Sequence, residues 1–448
     1  MKRNAPLTVK DLGGIDFTVK SGASLAPLQV LNGSVIHQIQ WATPLPKTYC
    51  NGCKISVGLG TIDPFYYADL LLMLHIKNLT IHKFRGLRDL NLQNLGRINL
   101  LVGINNSGKT SVLEAISTYC CPLDPLEWLN TARGREIKSS RKPKLDALKW
   151  LFPHHNNQNE IIDFYQGETH LSGDGSFPVK ESRAIYQEIE GVGESEYLED
   201  EFNFSEDELE LENTPIKRGA SIELKAHLND ELNDLNSEPD RIETFQVWEH
   251  RRFFQKNRNH PRLPVSTVTP FSHRIESLQV ELLSEATLHR FKSEVIKLIQ
   301  TIDSGIIDLQ NLPRPGVSSI VYIDHKQLGI APLSAFGDGV RRLLFIALTL
   351  AKIRGGILLI DELETAIHTE ALQESFSWLV QWCREMDVQL FATTHSLEAI
   401  DALLAATEAE ADLVVYRLEP KDSITQALRL DWHRLQRLRQ GLGQEVRW

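Results

Sequence analysis

The sequence predicts an α/β protein built on a mixed sheet, with a large helical and irregular lobe inserted into it. Three observations carry that reading. Ile98 to Val102, Ile357 to Ile360 and Val388 to Phe391 are short apolar runs closed by polar or turn residues, the pattern of strands buried on both faces. A helix-length pattern follows the first run, from Thr110 to about Tyr119, and one precedes each of the later two. The long stretch from Pro122 to Val321 shows no comparable alternation.

In chain order, residues 1–72 have weak periodicity with scattered Gly and Pro, and are expected to be an extension to a domain that begins near Met73. Within it, Cys50 and Cys53 have the spacing of half a zinc site. A structural zinc needs about four ligands and no second such pair exists, so two free thiols are the plainer reading. Residues 73–121 form the first part of the domain, with short alternating runs through Leu74, Ile76, Leu79, Ile81 and Phe84, then Leu90, Leu92, Ile98, Leu100 and Val102. Residues 122–319 are the inserted lobe. Strands are expected near Ile161 to Tyr165 and Ile222 to Leu228, and one or two amphipathic helices from Ser277 to Ile302, where Leu278, Leu282, Leu283, Leu288, Phe291, Val295 and Leu298 recur at helical spacing. Residues 320–448 return to α/β alternation, ending in a helix, a hairpin (LVVYRLEPKDSITQALRL) and a short basic tail.

At 448 residues, 42% hydrophobic and 24% charged, the chain is not disordered, collagen-like or disulfide-stapled. Lys and Arg total 48 against 59 Asp and Glu, and the net charge of -11 argues against a uniformly basic nucleic-acid binder. Distribution matters more: Glu188 to Glu212 holds 12 acidic residues and no Lys or Arg, so the remainder is near neutral. The five cysteines, with Cys120 and Cys121 adjacent, do not form a secreted framework, and a reducing cytoplasm is expected. No apolar run approaches the ~20 residues that span a bilayer, so no membrane partner is expected.

The chemistry concentrates at four places. Gly103-Ile104-Asn105-Asn106-Ser107-Gly108-Lys109-Thr110 fits GxxxxGK[ST] between an apolar strand and a helix, the setting in which that spacing makes a phosphate loop. Glycines permit the turn and leave N–H groups aimed at phosphate oxygens, with Asn105, Asn106, Ser107 and Ser111 lining the same cradle. Lys109 can reach the β- and γ-phosphates of ATP, and the Thr110 hydroxyl can ligate Mg²⁺. ILLIDELE then places Asp361 and Glu362 at the end of a buried strand, where Asp361 can hold the Mg²⁺ shell and Glu362 can orient or deprotonate the attacking water. VQLFATTHS ends a further strand with His395, placed to contact the γ-phosphate or that water. PLSAFGDGVRRLL sets Ser334, Gly337, Asp338 and Gly339 ahead of an apolar helix. The plain reading is a helix start capped by Ser334 or Asp338, and the sharper one a helix N-terminus open to a second subunit's phosphate.

With these residues in view, the chain resembles the ABC-type ATPases of the RecF, structural-maintenance-of-chromosomes and overcoming-lysogenization-defect group, especially stand-alone AAA-family members associated with phage defence. KFRGLRDL, RINLLVGINNSGKTSVLEAI, LSAFGDGVRRLL, LLIDELETAIH and LFATTHSLEAI occur in that group's order, over Met73 to Thr118 and Ile320 to Leu404. The resemblance implies a P-loop NTPase of ABC head type in which two heads sandwich two ATP molecules, with Ser334, Gly337 and Gly339 acting on the other head's nucleotide and His368 near the dimer interface. It implies ATP hydrolysis, Mg²⁺, self-association and, by the phage-defence comparison, a separate effector protein. Two departures stand out: the signature reads SAFGDG, and no Q-loop glutamine can be placed after Tyr119.

Other destinations for the signal are a RecF-like DNA-binding role in repair or maintenance, and a nucleotide-gated scaffold with little turnover. The basic clusters Arg133 to Lys144 and Arg251 to Arg262, with Trp248, Phe253 and Phe254 beside the latter, are either solvated and core residues or a nucleic-acid contact. The 53 residues after His395 leave no room for the Toprim nuclease that overcoming-lysogenization-defect proteins carry.

Overall fold

In the computed structural model the chain divides into two compact units, Met1–Met73 and Leu74–Trp448. The structure describes residues 74–135, 145–154, 164–191, 217–229, 240–249, 260–314, 317–407, 412–421 and 424–447, together with four short strands in the first unit. There Leu7–Lys10 pairs antiparallel with Asp16–Val19, and Ser56–Val57 with Gly60–Thr61. Cys50, Cys53, Phe253, Phe254, the acidic stretch beyond Gly191, and residues 136–144 of the first basic cluster lie outside the described residues.

The second unit opens with β1 (Asn78–Phe84) and β2 (Leu87–Leu92), an antiparallel hairpin. Leu79, Ile81 and Phe84 are all fully buried. Their spacing changes from two to three because the register of β1 slips between Ile81 and Lys83, a bulge that returns Phe84 to the core face. Next come β3 (Ile98–Val102), α1 (Lys109–Cys120), α2 (Pro125–Arg133) and the short α3 (Leu145–Lys149). Asp124 caps α2, accepting from the Leu126 N–H, with Pro125 in the first turn where its missing N–H costs nothing.

Strands β4 (Gln166–Asp174), β5 (Val179–Gly191), β6 (Lys217–Leu228) and β7 (Asp240–Trp248) extend the opening hairpin into an antiparallel sheet of order β7-β6-β5-β4-β1-β2. The strand expected at Ile222 to Leu228 falls inside β6. Of the one expected at Ile161 to Tyr165, residues 161–163 are outside the described set, and Phe164 and Tyr165 are not strand: β4 begins only at Gln166. After β8 (Val265–Val268), α4 (Glu276–Leu288) and α5 (Lys292–Ile299) fill the region where amphipathic helices were expected. A three-stranded antiparallel sheet follows, β9 (Ile306–Arg314), β10 (Val317–His325) and β11 (Gly329–Pro332). The middle of the chain thus both continues the first sheet and supplies helices.

The second six-stranded sheet gathers strands from distant parts of the chain. α6 (Asp338–Lys352) leads into β12 (Ile357–Ile360), α7 (Thr369–Glu385) into β13 (Gln389–Thr393), and α8 (Leu397–Ala406) into β14 (Leu413–Lys421), which turns back as β15 (Ile424–Asp431). The order is β8-β12-β13-β3-β14-β15, parallel except for β15. Period-two alternation divides its side chains between two cores. Ile98, Leu100, Leu358, Ile360, Leu390 and Ala392 join the residues of α4, α5, α6, α7 and α8. Leu101, Ile357, Leu359 and Phe391 face the other way, into the core shared by α1, α2 and the antiparallel sheet. Burial on both faces is why these strands read as unbroken apolar runs. Among the described residues no helix is long and apolar enough to cross a membrane.

Candidate nucleotide site

The site lies at the carboxyl ends of β3, β12 and β13, where the parallel strands hand over to loops. Gly103 leaves β3 at φ 146°, and a side chain there would meet the Leu418 carbonyl at 2.6 Å and Ser107 Oγ at 2.7 Å. Gly108, at φ 93°, opens α1, and its missing side chain would strike Leu87 at 2.7 Å. The two glycines therefore let the loop curl tightly between β2 and β14. Lys109 is buried and turned back over the loop, donating to the carbonyls of Gly103 and Ile104 at 2.9 Å each. Burial pulls its pKa down, opposed by the nearby carboxylates of Asp361, Glu362 and Glu364. Asn105 and Asn106 are exposed, Asn106 at φ 64°. Ser107 Oγ is buried without a hydrogen-bond partner.

Across from the loop, Thr110 Oγ1 donates to Asp361, 3.3 Å from one oxygen and 3.2 Å from the other, joining residues 251 apart in sequence. Thr393 Oγ1 donates to Asp361 at 2.7 Å and accepts the Glu362 N–H at 2.8 Å. Glu362 has φ 51°, a left-handed conformation that a non-glycine residue adopts at some cost and that recurs at functional sites. Its carboxylate is exposed and accepts from the Thr365 hydroxyl at 2.9 Å. The structure thus brings together Gly103, Ser107, Gly108, Lys109, Thr110, Asp361 and Glu362. Ser111 sits one residue further along α1, accepting from Arg135 Nη2 at 2.9 Å.

A magnesium-bound triphosphate suits this donor set. The unpartnered Ser107 hydroxyl and the Lys109 ammonium are groups able to donate to phosphate oxygens, and the Thr110 hydroxyl and Asp361 carboxylate are two hard oxygens of the kind magnesium takes. Among the described residues no three His, Cys, Asp or Glu side chains converge on a metal position. Magnesium, which keeps several waters beside one or two protein ligands and the substrate's phosphates, does not require that.

His395 follows β13. Its N–H donates to Glu364 Oε1 at 2.9 Å, and the Thr394 hydroxyl donates to Glu364 Oε2 at 2.7 Å. Burial, and after it the facing Lys109, lower the His395 pKa against the pull of Glu364, Glu362 and Asp361, which favours the neutral ring. Ser396 caps α8 by accepting the Ala399 N–H at 3.1 Å.

Ser334, Gly337 and Gly339 lie apart from the phosphate loop, around the start of α6. Ser334 is exposed in a short turn of 3₁₀ helix (Leu333–Ala335), and neither Ser334 nor Asp338 is the N-cap; Gly337 is. Gly337 and Gly339 line a cavity of about 380 Å³ with Phe336, Ala366 and His368, so the signature segment and the turn after β12 share one open surface. Asp338 is held by Arg274 at 2.7 Å and Arg341 at 2.9 Å, ion pairs that lower its pKa.

Sequence reasoning missed four residues that shape this site: Thr393 as the brace of Asp361, Glu364, Arg342 and Arg447. Arg342 is fully buried on α6 and donates to the carbonyls of Thr269, Asp361 and Glu362, tying the signature helix to the carboxylate turn. Burial pushes its pKa down to about 10 against the pull of Asp361, Glu362 and Glu364. The signals available were DELE for Glu364 and the double arginine in GVRRLL; Arg447 had none, because its contact spans 52 residues. Beside β12, the Asp361 N–H donates to the carbonyl of Val268, the last residue of β8, at 2.9 Å, and Thr269 follows.

The carboxylate strand β12 is separated from the phosphate-loop strand β3 by a single strand, β13, which carries the histidine. That arrangement, with an antiparallel sheet packed over α1, defines a P-loop NTPase of the ABC head type. A family model described as "AAA domain, putative AbiEii toxin, Type IV TA system" matches residues 145–401, and the chain belongs to that family. The match begins after the phosphate loop, so the loop adds to the assignment independently. Among curated proteins, an ATP/GTP phosphatase of Helicobacter pylori is 21% identical over 357 residues, 73% of this chain and 87% of its own. An uncharacterized protein of Methanocaldococcus jannaschii is 31% identical over 113 residues, 25% of this chain and 98% of its own. Among solved structures, an SMC head bound to the C-winged helix domain of ScpA aligns at TM-score 0.42 and 11% identity, covering 80% of this chain and 98% of that one. The SMC head domain of Thermotoga maritima aligns at 0.36 and 12%, covering 80% and 99%.

Proposed function

We propose that the protein binds and hydrolyses ATP, that ATP closes two copies into a dimer of heads, and that the closed dimer controls a separate effector protein in anti-phage defence. The observation that carries the catalytic part is the meeting of Lys109, Thr110 and Asp361 beside Glu362 and His395, from three strands, at one end of a parallel sheet. Lys109 leaves its loop carbonyls to meet the β- and γ-phosphates, and Gly103, Asn105, Asn106, Ser107, Gly108 and Ser111 form the cradle. Thr110 and Asp361 hold Mg²⁺, which when bound offsets the phosphate charge. Glu362, the carboxylate left open to solvent, takes the water's proton, and His395 contacts the γ-phosphate.

Dimer control is supported by the open surface that Gly337 and Gly339 share with Ala366 and His368, and by the exposure of Ser334 in the turn just before it. The family's description, which names a toxin of a toxin–antitoxin system, supports an effector-linked role.

Glu362→Gln tests both parts. It keeps the shape of Glu362 and removes its basicity, so phosphate release should fall by about 10² to 10⁴-fold while ATP binding survives. Light scattering with ATP and Mg²⁺ should then find a dimer. Turnover equal to wild type would take Glu362 out of the reaction, and a monomer under those conditions would remove head closure. A wild-type protein that binds ATP but releases no phosphate would make it a nucleotide-gated scaffold.

A further inference from the structure

Both backbone polar groups of His395 are held by side chains from outside its own strand and helix. Its N–H donates to Glu364, and its carbonyl accepts from Arg447 Nη1 at 2.6 Å. Arg447 is oriented before it reaches the histidine, because its Nε and Nη2 fork onto Glu445 at 2.8 Å each. That pairing holds the Glu445 carboxyl down at about 2, so the fork is charged throughout the physiological range. Residues 437–447 are fastened in turn. Arg439 makes a second fork, at 2.8 and 2.7 Å, to Asp401 on α8, the helix that begins just after His395. Its Nη1 also donates to the Gln444 carbonyl at 2.6 Å, and the Gln444 N–H donates to the Leu438 carbonyl at 2.8 Å. Val446, only 1% exposed, is sunk into the core between the two arginine-held ends.

We infer that residues 437–447 are a strap that sets the position of His395, and that Arg447 is a positioning residue for it. The inference rests on the reading of His395 as the group that contacts the γ-phosphate. The peptide of His395 is thus held on one side from the carboxylate turn and on the other from the strap, and the side chain is placed by that hold. A catalytic contact depends on that placement, since a shift of about 1 Å can cost two orders of magnitude in rate. Glu364 couples the histidine to Asp361 and Glu362, whereas the strap couples it to α8 and the core.

The test compares wild type, Arg447→Ala, Arg447→Lys, His395→Ala and the Arg447→Ala/His395→Ala double variant in steady-state phosphate release. Removing a charge-assisted hydrogen bond should lower kcat about tenfold in Arg447→Ala and leave KM within about twofold. Arg447→Lys, which can reach the carbonyl but cannot fork onto Glu445, should recover part of the loss. On the His395→Ala background the arginine change should cost nothing further, since its effect passes through the histidine. Losses that simply add, or a change in KM alone, overturn the proposal. Hydrogen exchange provides a readout without turnover: amides of residues 393–400 should lose protection in Arg447→Ala while those of α1 keep theirs. Equal protection in both proteins also overturns the strap. A wild type with no ATPase activity would instead sink the functional reading, and the exchange result alone would then decide the strap.

Discussion

Replacing Lys109 with alanine should abolish ATP binding at ordinary nucleotide concentrations. The ammonium is buried in the loop, it already satisfies two carbonyls at 2.9 Å, and three carboxylates lie near it. A triphosphate entering the loop would take over that cation, and without it would meet Asp361, Glu362 and Glu364 with only the buried Arg342 to offset their charge. Loss of one partner of a desolvated pair costs about 3–5 kcal/mol, on the order of a hundred- to several thousand-fold in Kd. Titration with a fluorescent ATP analogue measures it directly. Affinity within a few-fold of wild type would remove Lys109 from phosphate binding. Thermal unfolding should change little, because the two freed carbonyls sit at a loop where water can replace the lysine.

The second large effect is on stability. Arg342→Met should destabilise the second unit by about 3–5 kcal/mol, read as a lower urea midpoint. Methionine fills similar space, so the loss is electrostatic: the carbonyls of Thr269, Asp361 and Glu362 lose their shared donor, and three carboxylates lose their buried countercharge. Arg342→Lys should recover only part, since a single ammonium cannot span three carbonyls. A change under about 1 kcal/mol in Arg342→Met would mean that the guanidinium does not hold the turn together. The left-handed Glu362 backbone makes the same point locally, for it persists only while its surroundings hold it.

What could be read from the sequence was whatever the chemistry ties to adjacent residues. GINNSGKT and ILLIDELE are legible because a phosphate loop needs its glycines at fixed spacing, and because a doubly buried strand is an apolar run that stops where it reaches solvent. Ser334, Gly337 and Gly339 were legible as a helix start, but the cap fell on Gly337, whose extended backbone ends the preceding turn without a side-chain bond. Thr393, Glu364 and Arg342 were not assigned, since each works by holding a backbone group of a distant segment, and DELE and GVRRLL mark the residues without marking those partners. The same holds for the sheet. Alternation marked β1 and β2 as half-buried, but nothing local says that β13 inserts between β12 and β3.

That insertion has a consequence for how the molecule is made. The strand Ile98–Val102 finds its two neighbours only at residues 389–393 and 413–417. During synthesis it must therefore wait, with both edges bare, for nearly three hundred residues to leave the ribosome. Loop closure over such a span is slow, and an apolar strand left waiting is a template for pairing with the wrong chain. Refolding from denaturant should accordingly depend on protein concentration, and a chaperone that shields this one strand would raise the yield more than any that acts on the antiparallel sheet.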